Sequence, residues 1–215
     1  MPKPIKFSYE KKTPFRDAFF FIIMCEGKSR EPDYFNFFVG ISSRVKIVPV
    51  ESTTGSAPKL LIDNAISTEE KLGAKPDIDR VWFVIDTDRW RNQLHEIRTF
   101  SSDRPNWFVA QSNPCFEVWL YFHAKATLPP LENLAQCNAW KAHLPAAIQG
   151  GFNSDFHPIA IETAIINAKA AYHATGYFPD PGSTDLWRLA EALLPLIIKE
   201  MNMIRNKFPA PVVIG

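Results

Sequence analysis

One short apolar run in this chain ends in a pair of carboxylates. Residues 81–85 are β-branched or aromatic, and Asp86 and Asp88 follow them with one threonine between. An unbroken apolar run of this length is typical of a strand buried on both faces of a parallel sheet. Two adjacent carboxylates repel each other unless a cation lies between them, so the pair favours a site for a hard metal ion. The alternative is an ordinary turn in which Asp88 caps the next helix.

Predicted strands and helices alternate along the first part of the chain. Apolar runs predict strands at 18–25, 45–50, 81–85 and 107–110, and helical periodicity or cap signals follow each of them, as at 58–72 and 90–100. This alternation predicts an α/β fold with a mostly parallel four-stranded sheet, right-handed crossovers and helices on both faces. In a doubly wound order the first and third strands are neighbours, and ligands bind at the carboxyl ends of such strands.

The composition changes after residue 127, and no convincing strand is predicted before the C-terminal tail. Helices are predicted at 131–143, 158–173 and 184–207, and Pro195 is expected to kink or split the last of them. The predicted organisation is a flexible N-terminal lead-in at 1–17, an α/β core at 18–127 and a C-terminal helical lobe at 128–215.

Charge and cysteine content narrow the functional classes. The formal net charge of +1 provides no general basic field, so contacts with nucleic acid must come from a local patch. Cys25, Cys115 and Cys137 show no metal-ligand spacing, and reduced thiols of this kind fit an intracellular protein. The apolar run at 19–25 is too short to span a bilayer, and the first residues lack the apolar core of a signal peptide. We therefore predict a cytoplasmic protein that does not contact a membrane.

Further acidic residues follow the other predicted strands. Glu26 and Glu31 come after the first strand, and Glu117 lies in the opening turn of a helix after the fourth. If the first and third strands are adjacent, Glu26 faces the pair that begins with Asp86. Oxygen ligands of this kind select Mg²⁺ or Mn²⁺ over zinc, and such ions support phosphodiester cleavage. Glu26 is then the natural general acid or base.

Several residues near these strand ends are candidates for substrate contacts. Lys28 and Arg30 are natural phosphate ligands, and Arg89 is placed to line a nucleic-acid groove, against the default of a solvated surface side chain. Ser112 can bind phosphate at the following helix N-terminus or serve as a simple turn residue. His123 can contact phosphate or form a hydrogen bond with the backbone as a half-buried histidine.

Four segments in this order carry a resemblance to a known family. They are Glu26-Gly-x-x-x-Glu31-Pro-x-Tyr34-Phe35, Asp86-x-Asp88, Ser112-x-Pro114-x-Phe116-Glu117-x-Trp119, and a late segment in which Pro179 and Thr184 precede the last helix. Together they resemble the RloB-like family, which belongs to the wider Toprim superfamily. The resemblance covers roughly residues 19 to 195.

This resemblance implies a Toprim-like (Rossmann-like) fold with an acidic Mg²⁺ site. Carried over by position, Glu26 becomes the catalytic acid or base, while Asp86 and Asp88 become catalytic metal ligands. Glu31 and Glu117 match further acidic positions of the family. Glu117 is either an additional metal ligand or an acid favoured by the helix dipole. The resemblance also implies an ABC- or OLD-type ATPase partner, because RloB-like proteins are commonly encoded beside one in restriction or phage-defence loci.

Three functions remain open on the sequence. The leading hypothesis is a Mg²⁺-dependent endonuclease that cleaves DNA or RNA, tRNA included, as the effector of an anti-phage defence system; it is compatible with a homodimer. The second is a non-catalytic adaptor that docks an ATPase or a phage trigger. The third is a haloacid-dehalogenase-like phosphatase. Two features disfavour it: the Asp pair follows the third strand rather than the first, and Trp90 stands two positions after the second Asp.

Overall fold

The computed structural model describes residues 18–52, 57–87 and 94–207. Within these ranges the chain forms a parallel sheet, seven α-helices and a small hairpin. In chain order they are β1 (Phe19–Cys25), α1 (Arg30–Asn36), β2 (Val45–Val50), α2 (Pro58–Leu72), β3 (Arg80–Asp86), α3 (Leu94–Ser102), β4 (Trp107–Ser112), α4 (Glu117–Tyr121), α5 (Cys137–Ala147), a 3₁₀ turn (His157–Ala160), α6 (Ile161–Ala170), β5 (Ala174–Thr175), β6 (Phe178–Pro179) and α7 (Leu186–Lys207).

The four long strands form one sheet in the order β2-β1-β3-β4, and every neighbouring pair is parallel. Cys25 lies beside Val84 in the register of β1 against β3, and Asp86 lies beside Ser112 in the register of β3 against β4. The α/β fold predicted from the sequence is therefore confirmed, including the adjacency of the first and third strands. That adjacency brings the ends of β1 and β3 to the same edge.

Both faces of the sheet are buried, because alternate residues of each strand point to opposite sides. Phe21, Ile23 and Cys25 belong to one apolar cluster, which also contains residues of α1 and of α4 to α7. Ile22 and Met24 belong to a second cluster, with residues of α2 and α3. Each large apolar side chain removed from water in this way contributes about 1.5–3 kcal/mol to the stability of the fold. Because residues on both faces of the strands are buried, the strands are unbroken apolar runs in the sequence.

The C-terminal helices share the first of these clusters with the sheet. Trp140 of α5 and Leu193 of α7 are buried in the same cluster as Phe21 of β1. The division into a core at 18–127 and a lobe at 128–215 stays a prediction, and the packing shows that a continuous core joins the two parts.

Three details of this half differ from the sequence-based expectation. The first helix begins at Cys137 rather than at residue 131. The last helix continues from Leu186 to Lys207 as one element with Pro195 inside it, so the predicted split does not occur. A two-stranded hairpin, β5 and β6, was not predicted; each strand has only two residues, and Gly176 between them adopts a positive φ of 66°.

Some predictions fall on residues outside the described ranges. These are the flexible lead-in at 1–17, the start of the helix predicted at 90–100, and the site residues Asp88 and Arg89. Among the helices that the structure describes, none has the length and apolar character needed to cross a bilayer.

Candidate metal centre at the carboxyl edge of the sheet

Glu26 and Asp86 meet where β1 and β3 end. The backbone N–H of Asp86 donates to Glu26 Oε2 at 2.8 Å, and the N–H of Glu26 donates to the carbonyl of Val84 at 3.1 Å. Glu26 is 6% exposed although it is an acid, and Asp86 is half-buried. The parallel pairing of two strands that are distant in sequence therefore brings the carboxylate of Glu26 against the backbone of Asp86.

Glu31 lies against the turn that follows β1. A Cβ added to Gly27 would overlap the Glu31 carboxylate, so a larger residue here would force this side chain to move. The backbone N–H groups of Gly27 and of Glu31 itself donate to the carboxylate. Burial nevertheless raises the pKa of Glu31, and the nearby carboxylate of Glu117 raises it further. Glu31 and Glu117 are therefore close enough to repel each other.

Glu117 is the first residue of α4 and is 5% exposed. Its Oε1 lies 4.0 Å from Nε of Arg30, and its Oε2 lies 4.0 Å from Sγ of Cys137. The Arg30 side chain is 47% exposed, so solvent screens this ion pair and weakens its contribution. Glu117 thus has one oxygen toward a cation and the other toward a thiol.

A buried network of polar side chains supports the chain just beyond Asp86. Thr87 Oγ1 donates to the carbonyl of Ser112 at 2.8 Å and accepts a hydrogen bond from Nε2 of Gln111 at 2.8 Å. Ser112 is fully buried, and its hydroxyl lies 2.8 Å from that of Thr184. Ser112 is therefore the buried last residue of β4, with its side chain bonded inside the protein, and its contact with phosphate stays a prediction.

The same network extends to Asp185 and Arg98. Nη2 of Arg98 donates to Oε1 of Gln111 at 2.8 Å and lies 3.8 Å from Oδ2 of Asp185. The backbone N–H of Gln111 donates to Asp185 Oδ1. Burial raises the pKa of Asp185 to about 6, although these donors oppose the shift. The segment before α7 therefore positions the end of β4, and through Gln111 it also positions Thr87 beside the acidic pair.

His123 lies in the aromatic core below this edge. Its Nδ1 lies 3.1 Å from the carbonyl of Trp119, which can only accept, so Nδ1 carries the proton and Nε2 accepts from the hydroxyl of Tyr34 at 3.1 Å. Burial lowers the pKa of His123 to about 3, so the ring is neutral at physiological pH. These surroundings match the backbone-bonded alternative rather than the phosphate contact.

Among the other predicted substrate ligands, Lys28 lies in the turn after β1 and Arg30 is the first residue of α1, and both are exposed. They are the predicted contacts that the structure places at the surface beside Glu26. Asp88 and Arg89 lie outside the described residues.

The chemistry of this edge fits a hard divalent ion. Carboxylate oxygens prefer Mg²⁺ or Mn²⁺, and Glu26 and Asp86 meet at the carboxyl edge of the central strands. Glu31 and Glu117 add two more buried acids nearby. Burying several carboxylates together costs free energy that a bound cation offsets.

Two cysteines and Glu117 form a further group of possible metal ligands that the sequence did not predict. Cys115, Glu117 and Cys137 each offer a ligand atom, and these atoms lie within 4.8 Å of one another. Hydrogen bonding to Cys137 and burial raise the pKa of the Cys115 thiol, and the charges of Glu117 and Asp86 add to the shift. The cysteines lie on separate segments, one before α4 and one at the start of α5. Their spacing along the sequence therefore does not match a metal-binding motif.

Comparison with known proteins gives one match. A family model described as RloB-like protein matches residues 21–193. The matched range runs from β1 into α7 and includes all the carboxylates described above. No curated protein and no solved structure gives a significant match.

Proposed function

The chain belongs to the RloB-like family, and on this premise we propose that it is a Mg²⁺-dependent endonuclease of the Toprim type. Its substrates would be phosphodiester bonds in DNA or RNA, tRNA included. The observation that carries the proposal is the contact between Glu26 and Asp86 at the carboxyl edge of β1 and β3.

The burial of several acids around this hydrogen bond favours catalysis over a purely structural role. Acids that serve only a solvated surface have no reason to be buried beside one another, because each loses hydration and gains repulsion. Here Glu26, Glu31 and Glu117 are each at most 6% exposed. Asp185 shows a different solution: it faces the guanidinium of Arg98, whose side chain is 20% exposed, whereas the side chain of Arg30 beside Glu117 is 47% exposed.

Asp86 and Asp88 would hold the ion together with Glu26. When bound, Mg²⁺ would supply charge stabilisation for the phosphoryl oxygens and lower the pKa of a water molecule. The backbone N–H of Asp86 fixes the orientation of the Glu26 carboxylate, as a general acid or base requires. Lys28 in the adjoining turn and Arg30 at the start of α1 are exposed, so their charges can attract a phosphate backbone.

The resemblance also supports a biological setting for this activity. We propose that the protein acts as the effector of an anti-phage defence system and that an ABC- or OLD-type ATPase controls it. The near-neutral charge of the whole chain agrees with such control, because the protein lacks a strong general attraction for nucleic acid.

A metal-dependent cleavage assay tests the proposal. The purified chain is incubated with plasmid DNA, single-stranded DNA and tRNA, with Mg²⁺ or Mn²⁺, alone and with the proposed ATPase partner. Asp86→Ala and Glu26→Gln are compared with Asp33→Asn, which removes one exposed acid of α1 outside the centre. We expect cleavage that requires metal, is lost in the first two variants and is retained in the third.

Cleavage that persists in both Asp86→Ala and Glu26→Gln would contradict the assignment of this centre. Absence of cleavage in every combination, with the ATPase and a phage trigger present, would favour the adaptor function instead.

A further inference from the structure

The group of ligand atoms formed by Cys115, Cys137 and Glu117 differs in chemistry from the carboxylates of Glu26 and Asp86. Two of its three ligand atoms are sulfur, and thiolates select zinc and other soft ions over magnesium. We propose that these three residues form a second metal site, for a thiophilic divalent cation of the zinc class. The proposal goes beyond the nuclease function, because it concerns a different ion and a different ligand set.

The distances suit such an ion. Zinc bonds of about 2.3 Å to sulfur and 2.0–2.2 Å to oxygen place tetrahedral ligands about 3.3–3.8 Å apart. The ligand atoms here lie within 4.8 Å of one another, with 4.0 Å between Cys137 Sγ and Glu117 Oε2. They therefore need to approach one another by only about 1 Å, which is within the reach of side-chain rotation.

The surroundings of the group also suit a cation. Cys115 is fully buried and Glu117 nearly so, whereas Cys137 is half-buried and leaves a path from solvent. A fully buried thiol ordinarily packs among apolar side chains, yet Cys115 lies beside a carboxylate and a second thiol. Three protein ligands leave a fourth position for water, as in zinc sites that remain open to an exogenous ligand.

Lys141 lies one helical turn after Cys137, and its charge acts on Glu117 and Cys137. Its side chain is exposed, so it can move away when a metal ion enters. The lysine is therefore the natural competitor for the site, and its removal should strengthen metal binding.

A metal ion held there would connect two parts of the chain. Glu117 is the first residue of α4 and Cys115 lies two residues before it, in the segment that follows β4, whereas Cys137 is the first residue of α5. Binding would therefore link the segment that follows β4 to the C-terminal helices and stabilise the chain by mass action.

Cobalt provides the test, because Co²⁺ replaces zinc and its bonds to thiolate absorb strongly in the near ultraviolet. The reduced, chelator-treated full-length chain is titrated with Co²⁺ and then with Zn²⁺, while absorbance and thermal unfolding are recorded. We expect one equivalent of Co²⁺, a sulfur-to-metal band that zinc abolishes, and a higher unfolding temperature with either ion.

The variants assign the band to its ligands. Cys137→Ser should weaken binding by about 100-fold or more, because the loss of a ligand costs at least as much as that of an outer-sphere partner. Cys25→Ala serves as the control, since Cys25 is a buried thiol of β1 outside the group. Lys141→Met should tighten binding, an effect that loss of folding cannot imitate.

Cobalt binding without a sulfur band, or with the same band in Cys137→Ser, would overturn the proposal, since the ion would then lie elsewhere. A reduced wild-type chain that binds no cobalt would overturn it as well. Retention of cobalt in Glu26→Gln would show that the second site is independent of the proposed nuclease centre.

Discussion

Two groups of buried acids lie near the same end of the sheet, and they are neutralised differently. Asp185 accepts a hydrogen bond from the backbone N–H of Gln111 and faces the guanidinium of Arg98. Glu31 and Glu117 instead lie close enough for one carboxylate to raise the pKa of the other. Asp185 faces a mostly buried guanidinium, whereas Glu31 and Glu117 face each other and the cations beside them, Arg30 and Lys141, lie on the exposed surface. A bound cation would offset the repulsion within the second group.

This difference teaches how the fold combines stability with chemistry. The Asp185 network connects the segment before α7 to β4 and to Thr87, which directly follows Asp86. The hydrogen-bonded network around Asp185 therefore holds the strand ends in place, while Glu31 and Glu117 lie near those ends and repel each other. We expect substitutions in the Asp185 network to change the stability of the fold, and substitutions of the acids at the proposed metal centre to change function.

The largest effect is expected for Asp86→Asn. If Glu26 and Asp86 hold Mg²⁺ as proposed, this isosteric change should lower cleavage on the order of 10³-fold, since the metal supplies several kcal/mol of charge stabilisation. The free energy of unfolding without metal should stay the same or rise, because one repelling charge is removed. Cleavage rates and urea unfolding of both proteins measure this. A large loss of metal-free stability would place Asp86 with the structural group instead.

The next largest effect concerns His123 and acid. Its pKa is lowered to about 3 by burial, against about 6.5 in an unfolded chain. Its contribution to stability is therefore present above pH 6.5 and is lost as the pH falls toward 3. Relative to His123→Gln, the wild type should lose about 3 kcal/mol of unfolding free energy between pH 7 and pH 4. Equal pH dependence in the two proteins would show that the ring protonates in the folded state.

Asp185 should show the opposite dependence. Its pKa is raised to about 6 by burial, so its contribution to stability is greatest below the unfolded value of about 3.9 and is lost as the pH rises through 6. Between pH 4 and pH 7 the wild type should lose about 2–3 kcal/mol relative to Asp185→Asn. Urea unfolding of both proteins across this range measures it. A wild type that instead gains stability in this window would mean that Arg98 dominates over burial.

The smallest effect is expected at Gly27. A methyl group there overlaps the Glu31 carboxylate, so Gly27→Ala should destabilise the fold by about 1–3 kcal/mol. In a Glu31→Ala background the overlap disappears, and the same change should cost much less. Urea unfolding of the two single variants and the double variant gives the coupling free energy. If the losses of unfolding free energy in the two single variants simply add in the double variant, the cost of Gly27→Ala does not come from contact with Glu31.

Much of the fold follows from local sequence signals. The apolar runs of β1 and β3 predict buried parallel strands, and this confirmed arrangement brings Glu26 to Asp86. The hairpin of β5 and β6 escaped prediction because two-residue strands show no periodicity. Pro195 predicts a kink or a split in the last helix, and of these the split is wrong, since α7 continues through the residue that lacks a backbone N–H.

The parts of the site that could not be predicted depend on contacts between distant segments. Cys115 and Cys137 meet only because α5 packs beside α4, and neither residue lies in a recognisable motif. Asp185 and Arg98 likewise face each other across the end of β4. The role of such residues depends on how far their side chains are buried, as for His123. Burial results from tertiary packing and cannot be read from spacing along the chain.

Binding of Mn²⁺, followed by the loss of the free-ion electron paramagnetic resonance signal, tests the central claim most directly. The wild type, Asp86→Ala and the control Asp33→Asn are titrated under the same conditions, without substrate or ATPase. The proposed centre predicts binding to the wild type and to Asp33→Asn, and at least about 100-fold weaker binding to Asp86→Ala. Equal binding by all three proteins, or binding by none, would contradict the assignment of Glu26 and Asp86 to a metal centre.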